Sequence, residues 1–133
     1  MEHQFFRILI ADDDAEDLEL TEAALLKANP NLVIQTVSNG KSVIDHLVEN
    51  VNGDLPHLII LDYNMPELNG PEVLAVICTD KRFSSISVIM LSTSSSSLHV
   101  KECTDKGAAH YFIKPNTMHG LNRVAEKILA LGK

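Results

Sequence analysis

Five acids, Asp12, Asp13, Asp14, Glu16 and Asp17, crowd into six positions directly after an apolar run at 8–11. A sixth, Asp62, closes a second apolar run at 58–61. Adjacent carboxylates repel, and more strongly beside a low-dielectric core. If the two runs are neighbouring strands, Asp62 lies beside Asp12 and Asp13, and the set needs a counter-cation. A hard divalent ion with oxygen ligands suits it. Mg²⁺ takes one or two carboxylates together with waters and a phosphoryl oxygen. Asn64, two residues after Asp62, is in a position to offer its backbone carbonyl to that ion. Ser92 ends a fourth apolar run, where a hydroxyl donates to a phosphoryl oxygen. Lys114 ends a fifth, where an ammonium pairs with carboxylates or neutralises a phosphate. Each residue taken alone has a plain alternative. Asp62 would cap a helix or open a turn, the serines at 94–97 would cap or form a loop, and Lys114-Pro115 would be a surface strand end.

These side chains need elements that bring them to one edge. Short apolar runs at 6–11, 32–37, 57–61, 87–91 and 110–114 alternate with helically spaced segments. Several runs are continuously apolar, which suits strands covered on both faces of a parallel sheet. Leu18, Thr21, Leu25 and Ala28 mark the first helix, which stops before Pro30. Val43, Ile44, Leu47 and Val51 mark the second, and Val73, Leu74, Ile77 and Cys78 the third, with Pro71 at its first position. Leu98, Val100 and Cys103 sketch a fourth closed by Gly107, and Leu121, Val124, Ile128, Leu129 and Leu131 a fifth. Five β-α repeats imply an α/β fold with helices on both faces of a parallel sheet. In such sheets sites lie outside the carboxyl ends of the strands, where the acids fall.

Composition narrows the function class. A chain of 133 residues suits one domain, 1–133, with no output domain. A net charge of −7 argues against a general nucleic-acid or membrane-surface binder. Cys78 and Cys103 are too few for a disulfide framework and read as small buried apolar residues. The six histidines lack zinc-site spacing. No signal peptide and no run of about 18 apolar residues is present, so the expected location is cytoplasmic.

Together, ADD at 11–13, LDYNMPELNG at 61–70, LST at 91–93 and YFIKP at 111–115 resemble the receiver domain of two-component response regulators. The resemblance covers nearly the whole chain and is closest in length to stand-alone regulators of the chemotaxis kind. It implies a flavodoxin-like, doubly wound five-stranded parallel sheet in the order 2-1-3-4-5 with five helices. It implies that Asp62 accepts a phosphoryl group from a histidine kinase. Asp12, Asp13, Asp62 and the Asn64 carbonyl would hold Mg²⁺, and Lys114 would contact the phosphoryl group. Ser92 would be the switch hydroxyl, Tyr111 the switch aromatic that turns inward, and Pro115 would follow Lys114 through a cis bond. The surface built from the fourth helix, fifth strand and fifth helix would then control a downstream protein, or phosphate would pass to a histidine phosphotransfer domain. The regulator would act as a monomer or a homodimer. It would be no enzyme beyond its own phosphorylation and slow dephosphorylation.

Some features depart from the pattern. Ser92 replaces the commoner threonine and lacks its methyl, so its rotamer is less fixed. Asp14 reads as a solvated or helix N-terminal charge. The polar loop VNGDLPH and the STSSS stretch resemble small regulators that partner phytochrome-type and hybrid kinases. The rival of another class is a haloacid-dehalogenase-type phosphatase with Asp12 as nucleophile and Asp14 completing a D-x-D. It leaves Asp62 unexplained and puts Glu16 where a hydroxyl or valine belongs. A non-phosphorylated receiver-like binding module would have lost an acid or the lysine. A flavodoxin-like carrier would want a phosphate-cradling loop where this chain has acids.

Overall fold

The computed structural model describes residues 5–131. The strands are β1 (Arg7–Ala11), β2 (Val33–Val37), β3 (Leu58–Leu61), β4 (Ser87–Ser92) and β5 (His110–Ile113). The helices are α1 (Ala15–Ala28), α2 (Gly40–Glu49), α3 (Gly70–Thr79), α4 (Ser97–Asp105) and α5 (Met118–Leu131). All strand pairs are parallel, in the order β2-β1-β3-β4-β5. The chain therefore winds outward from β1 to β2, crosses back to β3, and continues to β5. This is the expected flavodoxin-like sheet, and its switch point lies between β1 and β3.

The unbroken apolar runs of β1, β3 and β4 follow from two buried faces. Ile8, Ile10, Leu58, Ile60, Ile89 and Leu91 pack with α1 and α5 through Leu25, Leu121 and Ile128. Their alternates Leu9, Ile59, Leu61, Val88 and Met90 pack with α2, α3 and α4 through Leu47, Leu74 and Cys103. The expectation of covered strands fails at the edges. Val33 of β2 and Ile113 of β5 are exposed, because an edge strand has a neighbour on one side only.

Side chains end the helices where sequence placed them. Asp14 caps α1 by accepting from the backbone N–H groups of Glu16 and Asp17. Asn69 caps α3 in a reciprocal pair with Glu72, which puts Pro71 second rather than first in that helix. Gly107, at φ +113°, closes α4 in a conformation few other residues adopt. The serine run caps α4 less firmly than expected, since Ser96 at the N-cap makes no side-chain cap bond. Two further readings need correction. Cys103 is buried, but Cys78 is exposed, one residue past buried Ile77 and beside Gly107 rather than in the core. A 3-10 turn at Lys81–Phe83 was not foreseen; it sinks Phe83 into the core while Asp80 caps it. No described helix is long and apolar enough to cross a membrane.

Candidate functional site

Register decides which acids meet. Ala11 pairs with Leu61 across β1 and β3, so Asp12 and Asp62 leave the sheet side by side. The Asp62 amide donates to the Ala11 carbonyl at 3.0 Å, which extends the ladder one step past the strands. On the other side of β3, β4 ends at Ser92, and the Lys114 amide donates to its carbonyl at 2.8 Å. All four residues thus stand at the carboxyl edge of the sheet. Gly70 lets the β3–α3 loop fold back here: a Cβ on it would meet the Asp62 carbonyl oxygen at 2.4 Å.

Asp12 and Asp62 are buried and Asp13 is exposed. One carboxylate oxygen from each lies within 4.8 Å of the others. Lys114 reaches into the set: its Nζ donates to Asp12 Oδ2 at 2.6 Å, to Asp17 Oδ2 at 2.8 Å and to Asp62 Oδ2 at 3.4 Å. One ammonium thus faces three carboxylates, and among the described residues Asp13 has no ion pair. Burial pushes the Asp12 carboxyl up to about 6, against the Lys114 hydrogen bond and the Asp14 amide, which favour its charge; Asp62 repulsion adds to the rise. For Lys114 burial acts downward, but the hydrogen bonds it donates to Asp12 and Asp17 and the charges of Asp62 and Asp12 outweigh it and raise its pKa. The pocket holds an excess of anionic oxygen donors at one point, which fits a hard divalent cation and fits no soft metal.

The structure brings together Asp12, Asp13, Asp62 and Lys114, with Ser92 fully buried at the adjoining strand end. Asn64 is exposed in the β3–α3 loop, two residues after Asp62. Tyr111 packs against the core, and its hydroxyl donates to the Ser94 carbonyl at 2.8 Å. The expected cis bond before Pro115 is absent. No described peptide bond is cis, and with a trans Lys114–Pro115 bond the ammonium already reaches all three carboxylates. The trans form is also the favoured isomer of an X–Pro bond. Asp14 is occupied as the α1 cap, so it does not complete the D-x-D of a phosphatase.

Asp17 had no assigned role in the sequence. Its signal was its place in the first turn of α1, three residues after the Asp14 cap, where the helix start turns it back toward the sheet edge. Tyr63 was passed over as well. Its backbone N–H donates to Asp62 Oδ1 at 2.7 Å, which leaves Oδ2 toward Lys114.

Residues 8–126 match the family model described as the response regulator receiver domain. A probable methanogenesis regulatory protein, FilR2 of Methanothrix harundinacea, is 30% identical over 92% of this chain and 81% of its own. The phosphorylated cyanobacterial phytochrome response regulator RcpA is 28% identical with a TM-score of 0.87, covering 94% of this chain and 91% of that one. The Mn²⁺-bound form of response regulator Rcp1 is 26% identical with a TM-score of 0.84, over 94% and 92%.

Proposed function

The chain belongs to the response regulator receiver family of two-component signalling, and from that premise we propose that it is a Mg²⁺-dependent phosphorelay switch that accepts phosphate on Asp62. The observation that carries the reading is the reach of Lys114 to Asp12 and Asp62 together, beside a three-carboxylate set. A carboxylate oxygen of Asp62 forms the new bond to phosphorus while the phosphorus–nitrogen bond of a donor phosphohistidine breaks. The electron pair stays with the imidazole, which takes up a proton. Lys114 stands where its ammonium neutralises a phosphoryl oxygen, and burial strengthens that interaction. Asp12, Asp13, Asp62 and the Asn64 carbonyl would hold Mg²⁺, which when bound supplies charge neutralisation for the equatorial oxygens.

Phosphorylation converts a carboxylate into a larger dianionic group beside Ser92. The hydroxyl now accepts from the Ser94 amide at 3.3 Å and is free to donate to a phosphoryl oxygen. A shift of that loop carries the Ser94 carbonyl and the Tyr111 hydroxyl with it, altering the α4–β5–α5 surface. The partners are a histidine kinase and either a target protein or a histidine phosphotransfer domain. Similarity to the phytochrome response regulator RcpA in its phosphorylated form supports a phytochrome-type kinase, and the Mn²⁺ of Rcp1 supports the metal. We place the protein in the cytoplasm and read 1–133 as one receiver domain.

Intact mass after incubation with acetyl phosphate and Mg²⁺ tests the proposal. One phosphoryl adduct is expected, absent with EDTA and absent in Asp62→Asn. An adduct that persists in a folded Asp62→Asn protein refutes the assignment of Asp62.

A further inference from the structure

Tyr63 joins Asp62 to α4. Its backbone N–H fixes Asp62 Oδ1 at 2.7 Å, so the placement of residue 63 sets the rotation of the Asp62 carboxylate. Its side chain runs the other way. The phenol donates to Glu102 Oε1 at 2.5 Å, and the ring stacks on His99 with centroids 4.0 Å apart and planes 14° from parallel. Both partners lie on α4, one turn apart, on the face toward the β3–α3 loop. Glu102 is itself held by Lys106 Nζ at 3.1 Å. His99 Nδ1 lies 2.6 Å from Ser94 Oγ, and Ser94 meets Ser92 through its amide and Tyr111 through its carbonyl.

The clamp has a physical reason. The N-cap residue of α4, Ser96, makes no side-chain cap bond. Cys103 is its one buried residue, and Leu98 is 76% exposed. A helix so lightly seated is held in place in large part by what Tyr63 gives it. The dependence is mutual, because a contact that positions α4 on Tyr63 also positions Tyr63 on α4.

We propose that Tyr63 is a positioning residue, and that His99 and Glu102 act through it: the seating of α4 fixes the Asp62 carboxylate in its reactive orientation. The inference rests on the acceptor role of Asp62 proposed above. It assigns α4 an influence on phosphoryl transfer itself, in addition to any part in reading out the phosphorylated state. A partner that lifts α4 therefore slows phosphorylation, and one that clasps Tyr63 against α4 speeds it.

The test is the rate of phosphorylation by acetyl phosphate at saturating Mg²⁺, with Mg²⁺ affinity measured separately by thermal shift. Tyr63→Leu removes the stack and the hydrogen bond, and should slow phosphorylation about tenfold, in keeping with the steep cost of small misplacements. Tyr63→Phe keeps the stack and should recover most of that loss, remaining about threefold slow. Glu102→Leu, which removes the acceptor, should match Tyr63→Phe, and the double variant should be no slower than either, since both remove the same hydrogen bond. Mg²⁺ affinity should fall by less than the phosphorylation rate, because Asp12 and Asp13 keep their places and only the Asp62 carboxylate is loosened. Equal rates in all variants, or independent effects of Tyr63→Phe and Glu102→Leu, would overturn the inference while leaving Asp62 as acceptor. A wild-type protein that takes no phosphate would instead overturn the acceptor role, and this inference with it.

Discussion

Lys114→Met removes the only ammonium that the described residues bring to the pocket while keeping most of the side-chain volume. The Lys114 side chain is 11% exposed, and those of Asp12 and Asp62 are 6% and 10%. Removing one partner of such a buried pair costs about 3–5 kcal/mol, because the remaining charge is stranded. The Asp17 contact adds little, since that side chain is 33% exposed and water screens it. The variant has one escape. Burial already pushes the Asp12 carboxyl up to about 6 with Lys114 present, and losing Lys114 pushes it higher, so taking up a proton at pH 7.5 costs at most about 2 kcal/mol. The expected loss without metal is therefore about 2–3 kcal/mol at pH 7.5, and clearly less at pH 5.5, where protonation is nearly free. For 133 residues the melting temperature moves about 3–4 °C per kcal/mol, so the shift should be near 7–11 °C at the higher pH. Thermal and urea unfolding in EDTA at both pH values measure it. A loss under about 1 kcal/mol at pH 7.5, or the same loss at pH 5.5, would refute the reasoning that Lys114 offsets buried carboxylate charge.

Two further outcomes follow from the same charges. Mg²⁺ at about a hundred times its dissociation constant should stabilise the wild type by about 2.7 kcal/mol, and Asp13→Asn should remove most of that gain, as differential scanning calorimetry with and without metal will show. In EDTA the wild type should itself lose stability as pH rises from 5 to 7. Burial holds the folded Asp12 pKa at about 6, above the ordinary aspartate value of 3.8, so the folded state binds the extra proton across that window. The contribution is present at pH 5 and gone above the folded pKa, a difference of about 1 kcal/mol that urea midpoints will resolve. A rise in stability over the same window would contradict it.

Much of the site could be read from residue order, because a parallel sheet converts position along the chain into position in space. Every strand of such a sheet ends at the same edge, so a polar residue after each apolar run is brought near the others whatever the loops do. Asp12, Asp62, Ser92 and Lys114 were legible for that reason. The place of Asp14 at the start of α1 was equally local, needing only the unpaired amides of a helix start. Contacts that depend on how separate elements are seated were not legible. Asp17 joins Lys114 because the first turn of α1 faces the end of β5, 97 residues away in sequence. Tyr63 meets Glu102 only because α4 packs beside the β3–α3 loop. Cys78 and Cys103 look alike in sequence and differ in burial because each helix is rotated to suit its own neighbours. The apolar pattern thus determined the fold class and the edge where chemistry gathers, since hydrophobic periodicity is a property of the chain. Tertiary packing decided which side chains complete the pocket, since helix rotation and loop seating depend on residues distant in sequence.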